Sequence, residues 1–154
     1  MSTITLEAVK EEQNKLASMI AQLEEAMKKP TFFEYQGKRI PLNTGEIYVG
    51  AIISADGSKR HHIILLPGEK NNVNWQGAMD WAASIGGELP DRCESALLFA
   101  TMKDEFESEW HWLREQHVSY SLYAWFQYFV NGNQNYGTKG HELRARAVRR
   151  LVIE

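Results

Sequence analysis

Pro30 separates two hydrophobic periods that no single element can carry. Before it, residues 5–29 read "TLEAVKEEQNKLASMIAQLEEAMKK". Their apolar residues step alternately by three and four, which is a helical seam and excludes a strand. Leu6, Gln13, Ile20 and Met27 take the a positions and Val9, Leu16 and Leu23 the d positions. Thr5 is placed to cap the helix, Glu7 suits its positive end, and Lys28 and Lys29 suit its negative end before the proline stop. A stripe this narrow fits self-association into a dimer or trimer, with polar Gln13 setting register at a cost in stability. The other reading is one amphipathic helix lying on its own domain.

After Pro30 the period falls to two. "TFFEY" and "KRIPL" flank Gln36-Gly37, a tight-turn pair. "EIYVGAII" and "KRHHIILL" flank "SADGS", where Asp56-Gly57 signals a hairpin. Residues 67–72, "PGEKNN", read as a loop. Asn74 then caps a predicted helix "WQGAMDWAASI" that ends at Gly86-Gly87, with Trp75, Ala78, Trp81, Ala82 and Ile85 on one face. Asp91 and Glu94 form a capping-box pattern for a second helix, with Leu97, Leu98 and Thr101 on its inner side. From about Glu109 the pattern is again extended: "EWHWLRE", "SLYAWFQYFV", "NQNYG" and "LRARAVRRLVI". A long helix, strands, two helices and more strands make an α+β chain with a mainly antiparallel sheet. The expected organisation is a heptad helix over 1–29, a β-rich segment over 30–72 and a domain over 73–154.

Alternation places Tyr123, Trp125, Gln127 and Phe129 on one strand face and Ala124, Phe126 and Tyr128 on the other. Asn131-Gly132 follows as a turn. In the last segment Leu143, Ala145, Ala147 and Arg149 share one face, and Arg144, Arg146, Val148 and Arg150 the other. Residues 88–115 hold eight acids against three bases, whereas residues 139–150 hold five bases against Glu142. These two regions are expected either to neutralise each other or to leave a basic ligand site. The net charge of −3 is too small to argue for a nucleic-acid partner.

These stretches resemble the Lcl C-terminal (DUF1566-type) domain, a branch of the C-type-lectin-like fold. The matching pieces are "ELPDRCESALLF" (88–99), "WHWLRE" (110–115), "AWFQYFVNG" (124–132), Lys139 and "RARAVRR" (144–150), so the resemblance covers roughly residues 73–152. It implies a C-type-lectin-like domain and a phage or prophage accessory protein. The sequence departs from the pattern at Glu88, where the family has Arg, at Leu113-Arg114, where it has Thr-Ser, and at Ala147, where Cys is frequent. It also lacks the "EPN", "QPD" and "WND" triplets of calcium-dependent lectins, so no Ca²⁺-dependent sugar site is expected. Cys93 stands alone and cannot supply the cysteine pair of the related formylglycine-generating enzymes, nor an internal disulfide.

No GxSxG, P-loop, HExxH or CxxC motif occurs, and His61 and His62 point to opposite faces of a predicted strand, so they do not share a metal. His111 is expected on the surface or hydrogen-bonded, facing away from Trp110 and Trp112. The reading is therefore non-enzymatic, with no cofactor and no metal. The chain has no secretory h-region and no apolar run near the roughly 20 residues that span a bilayer, so a cytoplasmic location is expected. The ligand surface is expected at Trp112, Arg114, Tyr128, Asn133, Asn135, Tyr136, Lys139, Arg144 and Arg146. Aromatic rings stack, amides offer paired donors and acceptors, and guanidinium groups grip phosphate or carboxylate. Trp110 and Trp125 are further stacking candidates, although rings on an alternating strand, such as Trp125 and Phe129, more often belong to a core. The expected partners are a second copy of the chain and either a host defence protein or an anionic nucleotide signal. The alternative is a glycan-binding structural component of a virion.

Overall fold

The computed structural model describes residues 3–27 and 30–154; the end of the first helix at Lys28 and Lys29 lies outside the described residues. It is an α+β protein with three α-helices and mostly antiparallel sheets. The chain divides into two compact units, residues 1–44 and 45–154. The division runs through the β-rich segment, because the strands after Thr44 pair with the C-terminal end of the chain.

The first unit holds α1 (Leu6–Met27) and a hairpin of β1 (Phe32–Tyr35) and β2 (Lys38–Pro41). Thr5 caps α1 by accepting the Ala8 N–H on Oγ1 at 3.1 Å. The hairpin turns at Gln36 and Gly37, with φ of 48° and 77°. Two successive positive φ angles match the right-handed twist of the flanking strands.

The second unit contains two sheets. In the first, β3 (Ile47–Ile53) and β4 (Arg60–Leu65) form the hairpin around Asp56-Gly57, and β10 (Val148–Val152) pairs with the other edge of β4. The second runs β5-β9-β6-β7-β8, using β5 (Lys70–Val73), β9 (Leu143–Ala145), β6 (Trp110–Gln116), β7 (Tyr123–Tyr128) and β8 (Gln134–Thr138). Its pairings are antiparallel except β6 with β9. Helix α2 (Trp75–Ser84) is capped by Asn74, whose side chain accepts the Gly77 N–H at 2.8 Å. It closes at Gly86, where φ is +83° and the N–H reaches the Ala83 carbonyl. Helix α3 (Arg92–Met102) opens on the expected capping box between Asp91 and Glu94.

Two expectations about strands are corrected. "PGEKNN" is not all loop, since Lys70–Val73 supplies the edge strand that β9 needs for its backbone groups. "LRARAVRRLVI" is not one strand but two, in different sheets. The break follows from burial on consecutive residues: Ala147 and Val148 are both fully buried, which an unbroken period-two strand cannot achieve. Within β9 and its exit, Ala145 and Ala147 pack with Ala78 and Ala82 of α2 in one core cluster around Trp112. A second cluster joins Val49, Ile63 and Leu65 to Leu98, Phe106, Phe129 and Val148. Two helix-face expectations also shift: Ile85 and Thr101 are exposed, and Met102 packs against the second cluster in Thr101's place.

Candidate functional site

The exposed end of the β6-β7-β8 sheet carries a cluster of rings. Cross-strand pairing sets Trp125 opposite Tyr136 and Tyr123 opposite Thr138. Trp125 and Tyr136 meet edge to face with centroids 5.2 Å apart. The loop between β6 and β7 folds back so that His117 lies 4.3 Å from Tyr136, 6.0 Å from Trp125 in near-parallel stacking, and 4.9 Å from Tyr120. Tyr120 touches Tyr123 at 5.6 Å. His117 holds that loop: its Nδ1 accepts the N–H groups of Ser119 and Tyr120 at 3.1 and 3.2 Å, which places the proton of the neutral ring on Nε2.

Arg92, the first residue of α3, lays its guanidinium 3.6 Å above the Trp125 ring, at cation–π distance. Its Nε donates to Gln134 Oε1 at 3.0 Å, and Gln134 Nε2 donates back to the Arg92 carbonyl. The rings are therefore held from three elements, yet Tyr120 and Tyr136 remain 56% and 39% exposed, and Val118 and Leu122 beside them 99% and 76%. Asn133 and Asn135 are exposed on the adjoining turn and strand. The turn forms as expected, with Gly132 at φ +80° and Asn131 Oδ1 accepting the Asn133 N–H.

A second feature lies on the opposite face of the same sheet. Trp110 and Tyr128 are cross-strand partners whose rings stack at 4.7 Å and 16°. They line a cleft of about 270 Å³ with Asn72, Ser108, Glu109, Glu142 and Arg144. Arg144 is held there by Glu109 at 2.7 Å, Glu69 at 3.3 Å and Asn71 at 2.7 Å. The Glu109 hydrogen bond and the surrounding carboxylates push its already high pKa further up.

The basic C-terminal segment meets the acidic one, so the first of the two expected charge arrangements is the one observed. Arg144 pairs with Glu109, and Arg150 with Glu88 and with both oxygens of buried Glu94. Burial alone would raise the Glu94 pKa, but the Arg150 guanidinium, the Asp91 N–H and His61 together hold it below the usual carboxylate value. Arg149 pairs with Glu46 at 2.6 Å. Arg146 turns inward, donating to the carbonyls of Glu105 and Leu66 and lying over the Phe106 ring; burial pulls its pKa down.

The predicted site residues are thus dispersed. Trp112 is corrected from ligand contact to core: it is completely buried, and its Nε1 donates to the Val73 carbonyl at 2.8 Å. Tyr128 and Arg144 line the cleft, whereas Tyr136, Asn133 and Asn135 belong to the ring cluster. Arg114 is exposed, 3.9 Å from Glu88. Lys139 lies over the Trp75 ring and donates to Gln116 at 2.7 Å. Phe129 is core and Trp125 half-buried. His61 and His62 separate as expected, His61 to Glu94 and His62 to Tyr48. His111 is hydrogen-bonded but not at the surface.

The sequence reading missed Arg92, His117, Tyr120 and Tyr123 as site residues. "HVSY" between two strands carried a local signal, a ring-bearing loop, but Arg92 arrives from a helix far along the chain. Among the described residues no group of three or more His, Cys, Asp or Glu is arranged to hold a metal ion, and no helix is long and apolar enough to cross a membrane. No family model matches the chain, and no curated protein matches it either.

Proposed function

We propose that this is a non-enzymatic, self-associating binding protein that recognises another protein through the ring cluster of its C-terminal sheet. The carrying observation is the combination at one sheet end of Trp125, Tyr136, Tyr120, His117 and Arg92 with exposed Val118 and Leu122. Trp, Tyr and Arg are the residues that dominate binding energy at protein interfaces: the two rings bury large area at little entropic cost, and Arg adds a forked set of donors. Holding the rings from α3, β7, β8 and the 117–122 loop lowers the ordering cost further. An anionic small ligand is less well supported, because Arg144, Arg149 and Arg150 already donate to carboxylates and Arg146 to carbonyls.

The order α2, α3, aromatic β6, Ala-Trp strand β7 and closing Arg strands supports a C-type-lectin-like reading of residues 73–152. In the phage setting which that resemblance implies, the partner is a host protein and the site of action the host cytoplasm. Self-association is assigned to α1. Its apolar seam residues Leu6, Val9, Leu16, Ile20, Leu23 and Met27 are between 42% and 74% exposed in one chain. A second copy would cover them and match Gln13 with Gln13. Two or more ring clusters on one assembly multiply a weak single-site affinity.

The test compares wild type with a Tyr120→Ser/Tyr136→Ser variant, both immobilised and exposed to host lysate. Native mass spectrometry of both reports the oligomer. A protein identified on wild type, rebinding when purified and lost from an equally stable variant, is the expected result. Equal retention by the variant, or wild-type binding of a glycan or nucleotide instead, overturns the reading. A monomer at micromolar concentration overturns the role of α1.

A further inference from the structure

We infer that the cleft beside Trp110 and Tyr128 is a second binding site, separate from the ring cluster, and that it takes a small organic cation such as a quaternary ammonium group. The argument begins with shape. A cleft of about 270 Å³ suits a ligand with only a handful of heavy atoms, close to the lower end of small-molecule sites. Its aromatic wall is preformed, because Trp110 is stacked on Tyr128 and braced edge-on by Phe126 at 4.9 Å. An indole face is the strongest of the natural π surfaces for a cation.

Charge then selects the ligand class. Glu109 and Glu142 line the cleft, and Glu69 adjoins it through Arg144. Around the cleft three carboxylates stand against the single Arg144 guanidinium, which already donates to Glu109, Glu69 and Asn71, while Glu142 lines the cleft with no such pairing among the described residues. The local field is negative at the mouth of an aromatic pocket, which attracts a weakly hydrated cation and repels the phosphate that the Arg-rich sequence would suggest. Ser108 and Asn72 add polar groups at the rim.

The probe is choline, titrated into the full-length protein against its neutral isostere 3,3-dimethylbutan-1-ol at constant ionic strength. Indole N–H and Trp110 side-chain NMR shifts provide the readout. Choline is expected to shift Trp110 saturably, and the neutral isostere to bind at least about 3-fold more weakly. Glu142→Gln, at an exposed side chain outside both core clusters, is expected to weaken choline by about 3-fold or more while leaving the fold intact. Trp110→Leu, followed by titration calorimetry because it removes the indole reporter, should abolish choline binding; the Glu142 variant keeps the test decisive if the Trp110 variant unfolds. Equal binding of the two probes, no saturable shift, or an unaffected Glu142→Gln variant overturns the inference. Loss of the protein partner at the ring cluster would leave each of these outcomes unchanged.

Discussion

His111 should make this protein lose stability as pH falls from 6.5 toward 4. The ring is 2% exposed, and its Nδ1–H donates to the Glu109 carbonyl at 3.0 Å. Its ring lies against those of Phe106 and Phe129, 5.4 and 4.9 Å away centre to centre, and its buried Nε2 has no hydrogen-bond partner among the described residues. A proton added there would be a buried charge against two phenyl rings, with Arg144 and Arg146 adding like-charge repulsion. Burial, more than those arginines, pushes the pKa from 6.5 down to about 4. The unfolded chain therefore binds a proton that the folded chain refuses. Stability from this source is complete above pH 6.5 and drains away as pH falls to about 4. At about 1.4 kcal/mol per pH unit, the whole effect is about 3 kcal/mol. The assay is urea unfolding at half-unit pH steps from 7.5 to about 4.5, comparing wild type with His111→Phe. The wild-type curve should fall more steeply with acid, and the stability difference between the two proteins should shift by about 2–3 kcal/mol against wild type across this range. His62, also lowered by burial, contributes to both proteins and cancels in the comparison. Parallel curves would refute the reasoning, because they would mean that Nε2 is protonated in the folded state without penalty.

Two further predictions concern the charged and the close-packed parts of the core. Glu94→Gln should cost about 3–5 kcal/mol in chemical denaturation, because it leaves the inward Arg150 guanidinium without its fully buried counter-ion and weakens the α3 capping box. A loss below about 1 kcal/mol would show that the pair is not structural. The same pair adds an acid limb: with the Glu94 pKa held below 4.5, its stabilisation is present above that value and lost as pH falls through the folded pKa. Gly87→Ala should destabilise by about 1–3 kcal/mol, since an added Cβ would meet Leu66 Cδ1 at 2.5 Å and the Val148 carbonyl oxygen at 2.7 Å. Thermal unfolding unchanged by that substitution would place Gly87 in open space instead.

What was readable in the sequence is what short-range physics controls. The helix before Pro30, the Asn74 and Asp91 caps, the Gly86 stop and the Gln36-Gly37 and Asp56-Gly57 turns depend on residues within one or two turns of each other, and each stands where expected. The period-two faces of β6 and β7 were legible for the same reason. Only the tertiary structure decided what those faces meet. Trp125 and Phe129 share a strand face, yet one lies under Arg92 at the surface and the other in the core, because α3 covers only part of the strand. The Ala147-Val148 break arises because the chain leaves one sheet for another, which requires partners from β4 and Glu88. Arg144, Arg149 and Arg150 look like a ligand site in one dimension and become internal ion pairs in three, since the acids that neutralise them lie 35 to 103 residues away. Spacing along a chain sets which way a side chain points; which charge or ring waits there is set by elements that only folding brings together.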